Sequence, residues 1–344
     1  MQSNFNVSNP KVLVMGGNPG RWSAVERKED EKYTTGIESW VYAFNSDYVH
    51  ILEANPKDIA NYDIVIANSN FHNKYLPKLL SLQKNKPQNV KWVTLIEGDL
   101  SYYLKPNVFI KALLDSSDLI NVINKYTLTF FKKLTNSKVE YIGIPYPVDS
   151  ITQMAIQIEK RQRRLFICPW LLTRQNDYLA AKEIGLPYYG YEKRISRKLN
   201  TLLSNYKTYG SNSPNFNIEK AEKYYADKNL LIKTETTLKN YFEENRDSFI
   251  WLNLDDRFTW GRYVLDAAAL QIPIITTKST GHADDLFPYT CLEHEYDIVQ
   301  AIELGKRLVE DIEFYRMVSS YPFGKMEHLK AEVIKNKLLS SLDY

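Results

Sequence analysis

The chain has 344 residues, with 44% hydrophobic and 25% charged residues, which fits a globular protein of two ordinary domains and excludes a single small one. A net charge of +3 is no strong polyanion signal, and two cysteines, Cys168 and Cys291, cannot build a disulfide framework or a zinc cluster. No apolar run reaches about 18 residues, so no membrane span is expected. MQSNFNVSNPKVLVMGG lacks the basic segment and apolar core of a signal peptide; with two thiols in apolar context, this predicts a cytoplasmic setting.

In chain order, KVLVM (11–15) predicts a short buried strand. A long polar loop over 18–35 follows, long enough to act as a lid, then a helix from Gly36 to Phe44. YVHILEA (48–54), YDIVIANS (62–69), VKWVTLIEG (90–98) and LINVIN (119–124) are strand-like. YLPKLLSLQ (75–83), VFIKALLDSSD (108–118) and YTLTFFKKL (126–134) are helical, and VEYIGIPYPVD (139–149) closes this half. Short apolar strands alternating with helices predict a parallel sheet covered on both faces. After a polar stretch ending in KRQRR (160–164), the pattern restarts with strand RLFICPW (164–170) and helix NDYLAAKEIG (176–185). Tyr-rich GLPYYGY (185–191) reads as tyrosines at a solvent edge, with stacking on a base or sugar as the sharper meaning. A polar Tyr/Asn-rich segment (206–229) follows. Helix TLKNYFEENRD (237–247), strand FIWLNL (249–254), a helix over 261–270, strand IPIITT (272–277) and helices over 295–311 and 328–344 complete the chain. The fold class expected is α/β, two doubly wound Rossmann-like domains facing a central cleft: residues 1–149, a linker 150–163, a second domain 164–325, and a C-terminal helix 326–344 returning to the first domain.

In such sheets ligands bind at the carboxyl ends of strands, beside helix N-termini. Strand 249–254 runs into Asp255-Asp256-Arg257 and a helix opening at Gly261-Arg262; strand 272–277 runs into Lys278-Ser279-Thr280-Gly281. Gly281 would admit a close anion, with His282 after it as a structural residue. Asp266 stands inside an apolar helix, where a carboxylate is costly without a task. GGNPGR (16–21) lacks G-x-G-x-x-G spacing, so Gly16-Gly17 is expected to line the cleft rather than form a dinucleotide fingerprint. The basic clusters KRQRR and EKRISRK (192–198) predict solvated surface, with phosphate contact as the minor alternative.

These residues resemble GT-B glycosyltransferases, most closely the retaining family-four group. TTGIESWVYAF (34–44) resembles the family's Gly-Gly-x-Glu loop, with Thr35 for one Gly. IPYPVD (144–149) resembles the segment closing its N-terminal domain, and TRQNDYLAA (173–181) resembles Lys-Gly-x-Asp-x-Leu, with Arg174 for the diphosphate-binding Lys. Asp266 followed by Ala267-Ala268-Ala269 stands for the family's second glutamate and its small residues. Gln271-Ile272-Pro273 stands for Gly-x-Pro, and Thr280-Gly281 for the Gly turn. The family's first glutamate falls on Phe258, its Arg before the Lys falls near Pro169, and its N-domain His is replaced by Glu97 and Asp99 in TLIEGD. The resemblance implies sugar transfer from a UDP- or GDP-sugar, with no cofactor and no metal. Asp266, Glu97 and Asp99 would be catalytic. Arg174, Thr280, Gly281, Arg262, Asp256, Gly36 and Gly17 would bind the donor. The implied acceptors are a glycan, a lipid-linked glycan or another small molecule, with nucleic acid and a peripheral membrane contact left open. A non-catalytic relative binding a nucleotide sugar or partner, and a phage-type DNA glucosyltransferase, are the alternatives.

Overall fold

The computed structural model describes residues 9–69, 75–97, 108–168, 175–191, 230–233 and 237–344. The chain forms two compact units. The first holds Met1–Ser150, Arg257–Arg262 and Gly324–Tyr344; the second holds Ile151–Asp256 and Tyr263–Phe323.

In the first unit, β1 (Val12–Gly16), β2 (Arg21–Ser23), β3 (Asp47–His50), β4 (Ile64–Asn68), β5 (Lys91–Ile96), β6 (Leu119–Val122) and β7 (Val139–Tyr141) form one sheet in the order β2-β3-β1-β4-β5-β6-β7. All neighbours are parallel except β2, which runs antiparallel to β3. Every residue of β1, β4 and β6 is buried, as a sheet covered on both faces requires. The Leu76–Lys84, Val108–Asp115 and Leu128–Leu134 helices supply Leu79, Leu113 and Phe131 to a core shared with Trp92. The last helix, Ala331–Ser341, packs on the Ser39–Phe44 helix, with Lys335 over the Phe44 ring and Lys138 donating to the Ser341 carbonyl.

Strand β2 lies inside the expected 18–35 loop. It is three residues long with one apolar residue, too short to show a period, and it is held by Trp22 stacking on Tyr48 at 5.0 Å between ring centroids. The strand expected over 48–54 stops at His50, because Asn55 caps the Pro56–Ile59 helix through a reciprocal bond with Asp58.

In the second unit, β8 (Gln162–Ile167), β9 (Tyr188–Tyr191), β10 (Leu230–Lys233), β11 (Ser248–Asn253), β12 (Ile274–Thr277) and β13 (Cys291–Leu292) are parallel in the order β10-β9-β8-β11-β12-β13. The tyrosines of GLPYYGY form β9 and are core. Tyr189 bonds Asn245 and Ser248, both at 2.7 Å, and Tyr191 accepts from Asn245. They are neither a solvent edge nor a base platform, because their polar tips meet internal partners. The Ile312–Ser320 helix and β13 were not expected from the sequence pattern.

Part of the KRQRR cluster is likewise used internally. Arg161 is buried and donates to the carbonyls of Ile156, Leu270 and Gln271 and to the Tyr315 hydroxyl, at 2.7–3.2 Å. It thereby takes up carbonyls at the end of the Arg262–Ala269 helix, where the dipole favours a cation. Arg164 pairs with Asp247 at 2.6 Å, and Arg163 donates to the Val309 carbonyl. Arg161 is therefore a structural cation rather than solvated surface, while Lys160 and Arg163 remain exposed as expected; the second cluster, 192–198, lies outside the described residues. Strand order reverses between β1 and β4 in the first sheet and between β8 and β11 in the second, so each sheet has its own switch point.

Candidate functional site

On the first unit, the carboxyl ends of β1, β4 and β5 gather a polar cluster. Strand β1 ends at Gly16, where a Cβ would lie 2.6 Å from the Tyr48 hydroxyl, so no larger residue fits without displacing that ring. The Tyr48 hydroxyl accepts the Asn18 backbone N–H and donates to the Asn18 carbonyl, both at 3.0 Å. Asn18 is thus fixed, and its side-chain amide donates to Glu38. Glu38 follows Gly36, whose φ of +98° is a left-handed turn that suits glycine, and it precedes the Ser39–Phe44 helix. From the other side of the switch, Asn68 at the end of β4 donates its amide to Glu97 just beyond β5. The Ser69 hydroxyl anchors this turn on the Leu95 carbonyl at 3.0 Å.

Burial pushes Glu38 up to about 7; the Glu97 charge adds to the rise, and the Asn18 bond opposes it. Glu97 is also raised by burial, with the Asn68 bond opposing. The two carboxylates therefore stand close enough to feel each other, and neither has a cationic partner among the described residues. Glu97 belongs to this cluster, Gly36 precedes Glu38 by two residues, and half-buried Gly17 lies between Gly16 and Asn18. Glu38 was not singled out, although TTGIE carried it as the last residue of the Gly-Gly-x-Glu resemblance. Asp99 lies outside the described residues.

On the second unit, the exits of β8, β11 and β12 are tied to one another. Asp177, buried in the first turn of the Gln175–Ile184 helix, accepts the Leu254 backbone N–H at 2.6 Å. The Asp255 carbonyl accepts from the hydroxyls of Thr277 and Ser279, and Thr276 donates to the Asn253 carbonyl at 3.0 Å. The turn after β12 closes through Thr280 N–H to the Thr277 carbonyl and Ala283 N–H to the Thr280 carbonyl. Its left-handed residue is His282, with φ +65°, rather than Gly281, because the second closure places the reversal one residue later. Thr280 and His282 are buried, and Lys278 beside them pairs with Glu293 at 3.0 Å.

Asp266 is fully buried in the Arg262–Ala269 helix, among buried Leu265, Ala267 and Ala268. Arg262 opens that helix one turn earlier and is half-buried; Asp256 is exposed. Phe258 sits half-buried in the Arg257–Arg262 segment, where the Thr259 carbonyl accepts from Asn124 at 2.8 Å. Arg174 lies outside the described residues. Cys168 and Cys291 are both free thiols. Among the described residues, no group of three His, Cys, Asp or Glu is placed to hold a metal ion, and no helix is long and apolar enough to cross a membrane.

No family model matches the chain, and no curated protein matches it by sequence. Solved structures do resemble it in fold. An alpha-glucosyltransferase in complex with UDP and a 13-mer DNA containing a HMU base superimposes with a TM-score of 0.63 at 10% identity, over 98% of this chain and 100% of the other. The alpha,alpha-trehalose 6-phosphate synthase from Burkholderia multivorans gives 0.66 at 9% identity, covering 97% and 98%. A UDP-forming alpha,alpha-trehalose-phosphate synthase from Burkholderia xenovorans in complex with glucose-6-phosphate gives 0.66 at 7% identity, covering 97% and 100%. The fold is GT-B, with two Rossmann-like domains, as the sequence resemblance implied.

Proposed function

We propose that the chain is a glycosyltransferase moving a sugar from a nucleotide sugar, with UDP as the nucleotide, to a hydroxyl acceptor. The observation that carries this reading is the extent of the likeness. Nearly the whole chain follows the layout of sugar-transferring enzymes, some of them solved with UDP or UDP-glucose. The tied exits of β8, β11 and β12 support a donor site: loops at a switch point whose internal hydroxyl and N–H bonds hold them in place before a ligand arrives. In this reading the Thr280-Gly281 turn, Arg262 and Arg174 face the diphosphate. Asp266 serves the sugar end of the donor, and Asp256 closes the rim. Basic side chains and backbone N–H groups stabilise the leaving group. Glu38 and Glu97 form the acceptor side, with Asp99 two residues after Glu97 in sequence. Two free thiols fit a reducing, cytoplasmic setting.

The DNA-modifying alternative is favoured by the alpha-glucosyltransferase structures solved with DNA. It draws little support from KRQRR, where Arg161 is buried and bonded to backbone carbonyls and Arg164 pairs with Asp247, although Lys160 and Arg163 stay exposed. Thermal stabilisation by a panel of UDP- and GDP-sugars tests the proposal, since a ligand of the native state raises its stability by mass action. UDP-sugars should raise Tm and release UDP on turnover; stabilisation by GDP-sugars alone would correct the nucleotide.

A further inference from the structure

Around the first unit's switch point, the described polar groups are short of donors. Glu38 accepts one side-chain bond, from Asn18, beside a bond from its own backbone N–H, and Glu97 accepts one, from Asn68. A carboxylate has room for several. The same Asn68 amide, 2% exposed, carries an Oδ1 that is buried without a hydrogen-bond partner beside Glu97. Thr35, 8% exposed and three residues before Glu38, has a buried hydroxyl with no partner either. A buried acceptor left unpaired costs free energy that a ligand's N–H or O–H can recover. A phosphate brings only further negative charge and more acceptors, which two neighbouring carboxylates oppose.

We infer that this edge is the acceptor subsite and that it selects an uncharged, hydroxyl-rich sugar, with Glu38, Glu97 and Asn68 Oδ1 accepting its hydroxyl protons, and rejects sugars bearing a phosphate there. The inference rests on the glycosyltransferase reading and adds the acceptor class to it. It also separates this chain from the synthase solved with glucose-6-phosphate, despite the shared fold. Burial that holds Glu38 partly protonated near neutral pH lets the carboxyl pair stand together with no cationic partner among the described residues, and it leaves both groups able to accept.

The test uses the full chain with labelled UDP-glucose and four acceptor arms: uncharged mono- and disaccharides, their 6-phosphates, glucosamine, and a 13-mer DNA duplex. UDP-glucose binding is first measured by calorimetry without acceptor; its absence counts against the glycosyltransferase reading and is scored separately. Where UDP-glucose binds, transfer to at least one uncharged sugar should exceed transfer to its phosphate by about tenfold or more, the worth of a charge-assisted bond. Glu97→Gln and Asn68→Ala should each lower kcat/KM for that sugar about tenfold while UDP-glucose affinity stays within about twofold. A sugar phosphate, an amine or DNA used in preference to every uncharged sugar would overturn the inference. So would UDP-glucose binding with no transfer to any uncharged sugar. The wild-type panel decides the matter even if a variant fails to fold.

Discussion

The Asp177 carboxylate accepts the Leu254 backbone N–H at 2.6 Å, so the helix after β8 and the exit of β11 are one mechanical piece. Two strands flanking the switch point are thereby held in fixed register beyond the sheet's own bonds. Asp177→Ala leaves a buried N–H unpaired and should cost about 1.5–3 kcal/mol, the range for a bond to a charged group. Urea unfolding reads this as a lower midpoint at unchanged slope. If the edge holds the donor, UDP affinity should fall as well; lost stability with unaltered UDP affinity would make the bond purely structural.

Glu38 gives a pH prediction whose sign is opposite to that of an ion-paired acid. Its folded pKa of about 7 lies above its ordinary value of 4.5, so between those values the folded state holds the extra proton. Stability from this group is therefore full below about pH 4.5 and falls as pH rises toward 7, by about 3 kcal/mol at most. Glu38→Gln cannot ionise and should lose that slope. Melting curves of both proteins from pH 4.5 to 8 should converge in acid and separate toward neutrality, with the variant the more stable. Parallel curves would contradict the assignment.

Gly16→Ala places a methyl 2.6 Å from the Tyr48 hydroxyl. Tyr48 is stacked on Trp22 and holds Asn18 by both backbone groups, so it cannot swing away freely. Overpacking of this kind costs about 1–3 kcal/mol. The displacement should pass through Asn18 to Glu38, lowering acceptor turnover more than UDP affinity. Equal loss of both would mean that the substitution acts on the whole fold.

Most strands and helices were legible because their apolar runs are continuous and bounded by Gly, Pro or Asn. What escaped has physical reasons. Strand β2 has one apolar residue and depends on a tertiary stack between Trp22 and Tyr48. The tyrosines of β9 look like surface residues until Asn245 and Ser248 take their hydroxyls. Arg161 looks like a charge in a run until the helix end at Leu270 and Gln271 meets it. At the candidate site, Glu97 and Gly36 were singled out through the family resemblance of TLIEGD and TTGIE. Glu38 needed the Asn18–Glu38 bond and the proximity of Glu97, which join segments far apart in sequence.

Arg161 tests the reassignment of the basic cluster. Its four bonds depend on a planar fork that lysine cannot reproduce. Arg161→Lys should therefore destabilise by at least about 2 kcal/mol, although the charge survives. Retention on immobilised DNA at low salt should be unaltered in folded protein. A stable variant that sheds DNA would restore the phosphate-contact reading.

The most direct measurement of the central claim pairs UDP calorimetry with UDP release from UDP-sugars, in wild type and Asp266→Asn. Asp266 is fully buried on the helix between β11 and β12, and the amide keeps its shape while removing its charge. The account predicts that wild type binds UDP and releases it from at least one UDP-sugar. The variant should melt within a few degrees of wild type and bind UDP within about threefold, while losing at least about 90% of that release, because only interactions with the sugar and its developing positive charge are lost. Absence of UDP binding and of turnover with every UDP-sugar would contradict the account.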